Sequence, residues 1–134
     1  MGDPTAFIHD SMPLTRTLGV TAEKLDPAEV VLRLEWAEEL CTAGGVLHGG
    51  ALMTLADSAG AACAFLNLPE GAAGTSTIES KTNFMAAVRD GPATARATLL
   101  HAGKRTVVVE TTITDRDGRL VSKTLQTQAV LGAP

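Results

Sequence analysis

Asp57 is the only formally charged residue between Glu39 and Glu70. It stands in the apolar run Ala51–Leu66, directly behind His48-Gly49-Gly50. A carboxylate buried without a partner is costly, and charges placed this way concentrate at working sites. Two kinds of chemistry suit it: activation of a water as general base, or direct attack on an acyl carbon. The plain alternative is a structural aspartate satisfied by the Thr54 or Ser58 hydroxyl.

Gly49 and Gly50 stand where a long helix should begin. The first turn of a helix leaves backbone N–H groups without partners at the positive end of its dipole. Glycine allows a ligand to approach that backbone closely. Such a place suits a developing oxyanion, although His-Gly-Gly alone also reads as a tight entry turn. Gly49 and Asp57 are eight residues apart, about 12 Å along a helix. A catalytic group works at about 3 Å or through one water. One helix therefore cannot bring both to one carbonyl, but two antiparallel helices about a two-fold axis can, giving two equivalent sites.

The surrounding pattern supplies the elements. Phe7, Ile8, Met12, Leu14 and Leu18 suggest a short N-terminal helix that stops near Pro13. Residues 19–25 and 29–36 alternate as two strands around the turn Asp26-Pro27-Ala28. Residues 47–66 form the one long helix, rich in Ala and Leu. Four strands follow, at 75–85, 93–101, 106–114 and 120–131, with Asp117-Gly118 marking the last hairpin. Short turns imply an antiparallel sheet, with only one long helix to cover it. That helix is apolar nearly all round, so one sheet face cannot hide it, and a dimer is expected.

With 134 residues, 45% hydrophobic and 19% charged, the chain is expected to be one domain over 1–134. A net charge of −4 gives no general basic field, so nucleic acid is not an expected partner. The apolar run 51–66 is short for a bilayer span and the N-terminus lacks a secretory pattern, so neither a membrane nor secretion is expected. Cytoplasm is the expected compartment. Cys41 and Cys63 form no disulfide framework, and no histidine or cysteine has metal-ligand spacing; neither metal nor cofactor is expected.

Three segments carry a resemblance: Gly45-Val-Leu-His-Gly-Gly-Ala-Leu-Met-Thr-Leu-Ala-Asp57, Thr77-Ile-Glu-Ser-Lys-Thr-Asn-Phe-Met85, and Gly103-Lys-Arg-Thr-Val-Val-Val-Glu110 with Asp117-Gly118. Together they resemble the hot dog-fold acyl-CoA thioesterases, in particular the phenylacetic-acid-degradation (PaaI-like) branch, related to the Arthrobacter-type 4-hydroxybenzoyl-CoA thioesterase. The resemblance covers residues 14–131. It implies an α+β fold, a six-stranded antiparallel sheet wrapped around one long central helix, with a short N-terminal helix. It implies hydrolysis of an acyl-CoA, with an aryl or arylacetyl group preferred.

By the same resemblance Asp57 is the catalytic carboxylate, and the Gly49 N–H polarises the thioester carbonyl across the dimer. Thr77 helps to place the water, and His48 orients the loop and thioester rather than acting as base. Gly50 and Thr42 belong to the substrate contact, Thr42 standing where the family often has Asn or Gln. Ala61 replaces a threonine one turn beyond the acid of the Arthrobacter-type enzyme. Lys104 and Arg105 are the expected anchors for coenzyme A phosphates, with Lys81 and Lys123 as weaker candidates. The minimal unit is a homodimer, and a homotetramer built as a dimer of dimers is expected. A hydratase or dehydratase on the same fold, and a non-catalytic acyl-CoA-binding module, are the alternatives.

Overall fold

The computed structural model describes residues 2–132; residue 1 and residues 133–134, the ends of the expected 1–134 domain, lie outside the described residues. In chain order the elements are α1 (Pro4–Ser11), α2 (Pro13–Leu18), β1 (Thr21–Asp26), β2 (Glu29–Glu35), α3 (Gly49–Leu66), β3 (Gly74–Phe84), β4 (Pro92–Ala102), β5 (Thr106–Thr114) and β6 (Leu120–Leu131). A single 3-10 turn, Glu38–Leu40, lies between β2 and α3.

The N-terminal region holds a second helix beyond the expected one. α1 stops at Ser11, just before Pro13 as expected, and Pro13 then begins α2, because the first helical position needs no N–H. The Thr15 hydroxyl joins the two short helices by donating to Met12 O at 2.7 Å and Ile8 O at 3.1 Å. The ring of His9 donates to Val20 O at 2.6 Å and ties α1 to the start of β1.

All six strands form one antiparallel sheet in the order β1-β2-β4-β5-β6-β3. α3 crosses the sheet between β2 and β3, which lies at the far edge. It packs chiefly over β4, β5 and β2. The floor beneath it is made of small or branched side chains: Ala93, Ala95 and Ala97 of β4, Val107 and Val109 of β5, and Val30, Leu32 and Leu34 of β2, all buried. Alanines let the helix approach closely, while Leu52 and Leu55 fill the remaining space. Burying each such leucine stabilises the fold by about 1.5–3 kcal/mol. An antiparallel sheet curled around one long helix is the hot dog arrangement. α3 is also apolar and long enough to cross a bilayer by composition, but half of it is buried against this sheet.

Two details of the fold aim side chains. β3 carries a bulge at Ile78, where Thr77 pairs with Gln128 and Glu79 with Thr127. The extra residue shifts the alternation, so that Thr77 before it and Ser80 after it both face α3. On α3 the less buried positions Gly50, Met53, Thr54, Asp57, Ala61 and Phe65 recur every three or four residues. They form one seam left uncovered by the sheet, with Asp57 at its middle.

Candidate active site

The N-terminus of α3 is capped by a histidine. His48 Nδ1 accepts the Gly50 N–H at 2.7 Å. Its carbonyl accepts the Ala51 and Leu52 N–H groups at 2.9 and 3.1 Å. Three of the first four amides of α3 are thereby satisfied. The Gly49 N–H has no acceptor among the described residues. Because Nδ1 is an acceptor, a neutral His48 ring carries its proton on Nε2. Both glycines are tightly placed. A Cβ on Gly50 would lie 2.9 Å from His48 Nδ1, and one on Gly49 would lie 3.3 Å from the ring of Phe84, which lies over this turn.

Asp57 is half-buried. Neither helix hydroxyl satisfies it: Thr54 donates to Gly50 O at 2.9 Å and Ser58 to Thr54 O at 2.7 Å. A hydroxyl on a helix readily back-bonds to the carbonyl four residues earlier. The partners come from the sheet. Asp57 Oδ1 accepts from Thr77 Oγ1 at 3.1 Å and from Gln126 Nε2 at 2.5 Å. Thr77 Oγ1 in turn accepts from Gln128 Nε2 at 2.6 Å and Gln126 Nε2 at 3.3 Å. Gln126 and Gln128 are fully buried. Asp57 Oδ2 has no hydrogen bond among the described residues.

Asp57 lines a cleft together with Met12, Leu14, Met53, Thr54, Ser58 and Ser80. An apolar cavity of about 340 Å³, which shares Met12 with that cleft, is lined by Phe7, Met12, Ala61, Ala62, Phe65 and Thr75. Ala61 is one helical turn beyond Asp57, about 6 Å along the axis. Phe65 lines this cavity and Met53 the other cleft; both side chains are exposed, as is Met85.

The structure thus brings Asp57 and Thr77 together and places His48, Gly49 and Gly50 in one turn. Thr42 lies in the loop before α3, with its N–H on Val46 O at 2.9 Å and its hydroxyl unbonded among the described residues. Lys104 and Arg105 are exposed at the β4–β5 turn, and no acidic partner is found for either among the described residues. Lys81 and Lys123 share a shallow surface with Glu110, to which Lys123 is paired, on the outer face of the sheet away from α3. Among the described residues no cluster of three His, Cys, Asp or Glu side chains is placed to hold a metal ion. Burial pushes the Cys63 thiol up to about 11. Gln126, Gln128, Gly60 and Phe84 are the site residues that sequence reasoning missed.

Comparison with known proteins agrees with this fold. Residues 44–122 match the model of the thioesterase superfamily. A Saccharolobus solfataricus protein that carries the provisional name of esterase is 34% identical over 113 residues, 84% of this chain and 74% of that one. The 1,4-dihydroxy-2-naphthoyl-CoA hydrolase of Listeria monocytogenes is 32% identical over 110 residues, 82% of this chain and 89% of its own. Among solved structures, a Silicibacter pomeroyi thioesterase family protein superposes with a TM-score of 0.85 at 29% identity, covering 96% of both chains. This chain is a hydrolase of the thioesterase superfamily.

Proposed function

We propose that this chain hydrolyses an acyl-CoA thioester to the free acid and coenzyme A, in the manner of the PaaI-like branch. Asp57 acts on the acyl carbon, as nucleophile or through a water. Gly49 of the partner subunit donates its N–H to the carbonyl oxygen. The observation that carries the reading is the free Gly49 N–H. His48 satisfies the other amides of the first turn and leaves this one for a ligand. A thioester suits such a site, since thiolate leaves without a strong general acid and the remaining needs are an attacking oxygen and a stabilised oxyanion. Hydration would require His48 to move protons, yet its Nδ1 is engaged by Gly50.

The apolar cavity beyond Ala61 takes the acyl group. Its lining by Phe7, Met12 and Phe65 favours an aryl or arylacetyl group over a polar one. Lys104 and Arg105, unpaired at their turn, meet coenzyme A phosphates. Two features support the dimer. The uncovered seam of α3 runs through Asp57. β3, 11 residues long, is a free sheet edge exposing Ile78, and an edge of that length invites pairing with another chain. Pairing about a two-fold axis beside this edge sets two α3 helices antiparallel.

Thiol release from a panel of aryl-, arylacetyl- and alkyl-CoA substrates tests the reading. Wild type is expected to be active and Asp57→Asn to lose at least about 100-fold in kcat. Mixed dimers of Asp57→Asn with Gly49→Pro should regain part of the activity. A wild type that releases no thiol, or an Asp57→Asn variant with full activity, refutes it.

A further inference from the structure

The carboxylate that the proposed reaction uses is gripped from β6, by side chains that neither line the acyl cavity nor face solvent. We propose that Gln126 and Gln128 are positioning residues that clamp Asp57 by Oδ1, so that Oδ2 alone faces the acyl carbon or its water, with Gln128 acting through Thr77. The proposal rests on the reading that Asp57 is the reacting group.

Hydrogen-bond directions in this cluster are set by chemistry. An ionised carboxylate only accepts, so the Gln126 amide has to present its NH2 to Asp57 Oδ1, at 2.5 Å. Its Oε1 is then turned the opposite way, into the space beside Gly60. A Cβ on Gly60 would stand 1.8 Å from that oxygen, so the glycine provides the room. Oε1 is buried there without a hydrogen-bond partner among the described residues. A buried carbonyl left in that state is destabilising, and an apolar side chain at 126 would avoid it. The orphaned oxygen is explained if the other end of the amide is needed at Asp57.

Thr77 is oriented in the same way. A hydroxyl has one proton and two lone pairs. The amides of Gln128 and Gln126 approach its oxygen as donors at 2.6 and 3.3 Å. Its proton is left for Asp57 Oδ1, at 3.1 Å. Thr77 therefore acts on the carboxylate, and Gln128 decides which way Thr77 points. Two donors on one oxygen fix the carboxylate's rotation. Oδ2, without a partner among the described residues, is the oxygen left to react.

A double-mutant cycle on kcat and KM for thiol release separates positioning from mere support of the fold. Gln126→Leu is expected to lower kcat about 10- to 100-fold, the range for a hydrogen bond to a charged group. Gln128→Leu is expected to lower it about 10-fold, with KM within about 2-fold in both. In a Thr77→Val background the Gln128→Leu change should cost nothing more, since the side chain it acts through is gone. Thr77→Ser should keep most of kcat. Should Gln128→Leu fail to fold, Gln128→Met carries the test: it keeps the length of the side chain, offers Thr77 no donor and gives the same loss. Independent, multiplying losses in the cycle, or a folded Gln128→Leu with unchanged kcat, overturn the clamp while leaving an active wild type as a hydrolase. A wild type that releases no thiol overturns the hydrolase reading and the clamp with it.

Discussion

Gly60→Ala adds one methyl group to the middle of α3. Helix propensity alone makes this change stabilising by about 0.8–1.0 kcal/mol. The site reverses the sign. The new Cβ would fall 1.8 Å from Gln126 Oε1 and 2.9 Å from its Cδ. An amide at the end of a side chain can move, but Gln126 is wholly buried and moves only by withdrawing Nε2 from Asp57. The lost hydrogen bond to a charged group costs about 1.5–3 kcal/mol, and crowding a packed interior adds about 1–3 kcal/mol. After the helix gain is subtracted, the net destabilisation is roughly 1.5–5 kcal/mol. For a chain of this size that lowers Tm by roughly 5–18 °C. Thermal unfolding at fixed protein concentration measures it, and kcat should fall at least about 10-fold in the same preparation. In a Gln126→Ala background the methyl group has room, and Gly60→Ala should become neutral or stabilising by up to about 1 kcal/mol. A single Gly60→Ala variant with unchanged or higher Tm and wild-type kcat would refute the account of Gln126.

The remaining expectations concern the cap and the thiols. His48→Ala removes the side-chain acceptor of the Gly50 N–H and should cost about 1 kcal/mol in unfolding experiments, while His48→Asn, a good cap, should recover most of it; equal losses in the two variants would count against capping as the role of Nδ1. Burial holds the Cys63 thiol protonated to about 11 against an ordinary value of 9.0. The unfolded chain loses that proton first, so stability should fall as pH climbs from about 9 to about 11, and Cys63→Ala should flatten this part of a stability–pH curve. Burial, and then the charges of Glu38 and Glu39, also raise the Cys41 thiol, but Cys41 is only partly buried. Iodoacetamide should therefore label it well before Cys63, as read by peptide mass spectrometry, and labelling of Cys63 at the rate of a free thiol would contradict its placement.

The central helix and the last two strands were legible because local signals agree there. Residues 47–66 are rich in Ala and Leu with Asp57 as their one formal charge, and β5 and β6 begin and end where the alternation and the Asp115–Gly118 turn place them. α1 does stop just before Pro13, but α2 was missed, because proline marks a helix start as well as a stop. The clamp was missed for a stronger reason. In Leu125-Gln126-Thr127-Gln128-Ala129 an apolar reading turns Leu125 and Ala129 inward. The structure buries Gln126 and Gln128 and exposes Leu125. Pairing with β5 sets this parity: Val109 faces Gln126 and Val107 faces Gln128 across the ladder, and partners in a ladder share a face. The two valines held the signal, but it becomes readable only when the β5–β6 register is known. The bulge at Ile78, which turns Thr77 and Ser80 to the same side, likewise has no mark of its own in the sequence.

The buried polar side chains of β6 bear on why the proposed catalytic unit is a pair. Ser122, Thr124, Gln126 and Gln128 form a continuous inward row. At one end Thr124 meets Thr82 at 2.8 Å; at the other the two glutamines meet Asp57 and Thr77. A protomer thereby spends a polar stripe of its core fixing one carboxylate oxygen, yet its own free amide, at Gly49, is about 12 Å away along α3. Each chain holds two well-prepared halves that cannot meet. In the proposed dimer the antiparallel seam brings each half to its complement, so rigidity within the chain becomes an advantage: neither half has to move when the substrate arrives. On this view, substitutions in the uncovered seam at Met53 or Phe65 that separate the protomers should abolish thiol release while leaving the Asp57 clamp intact.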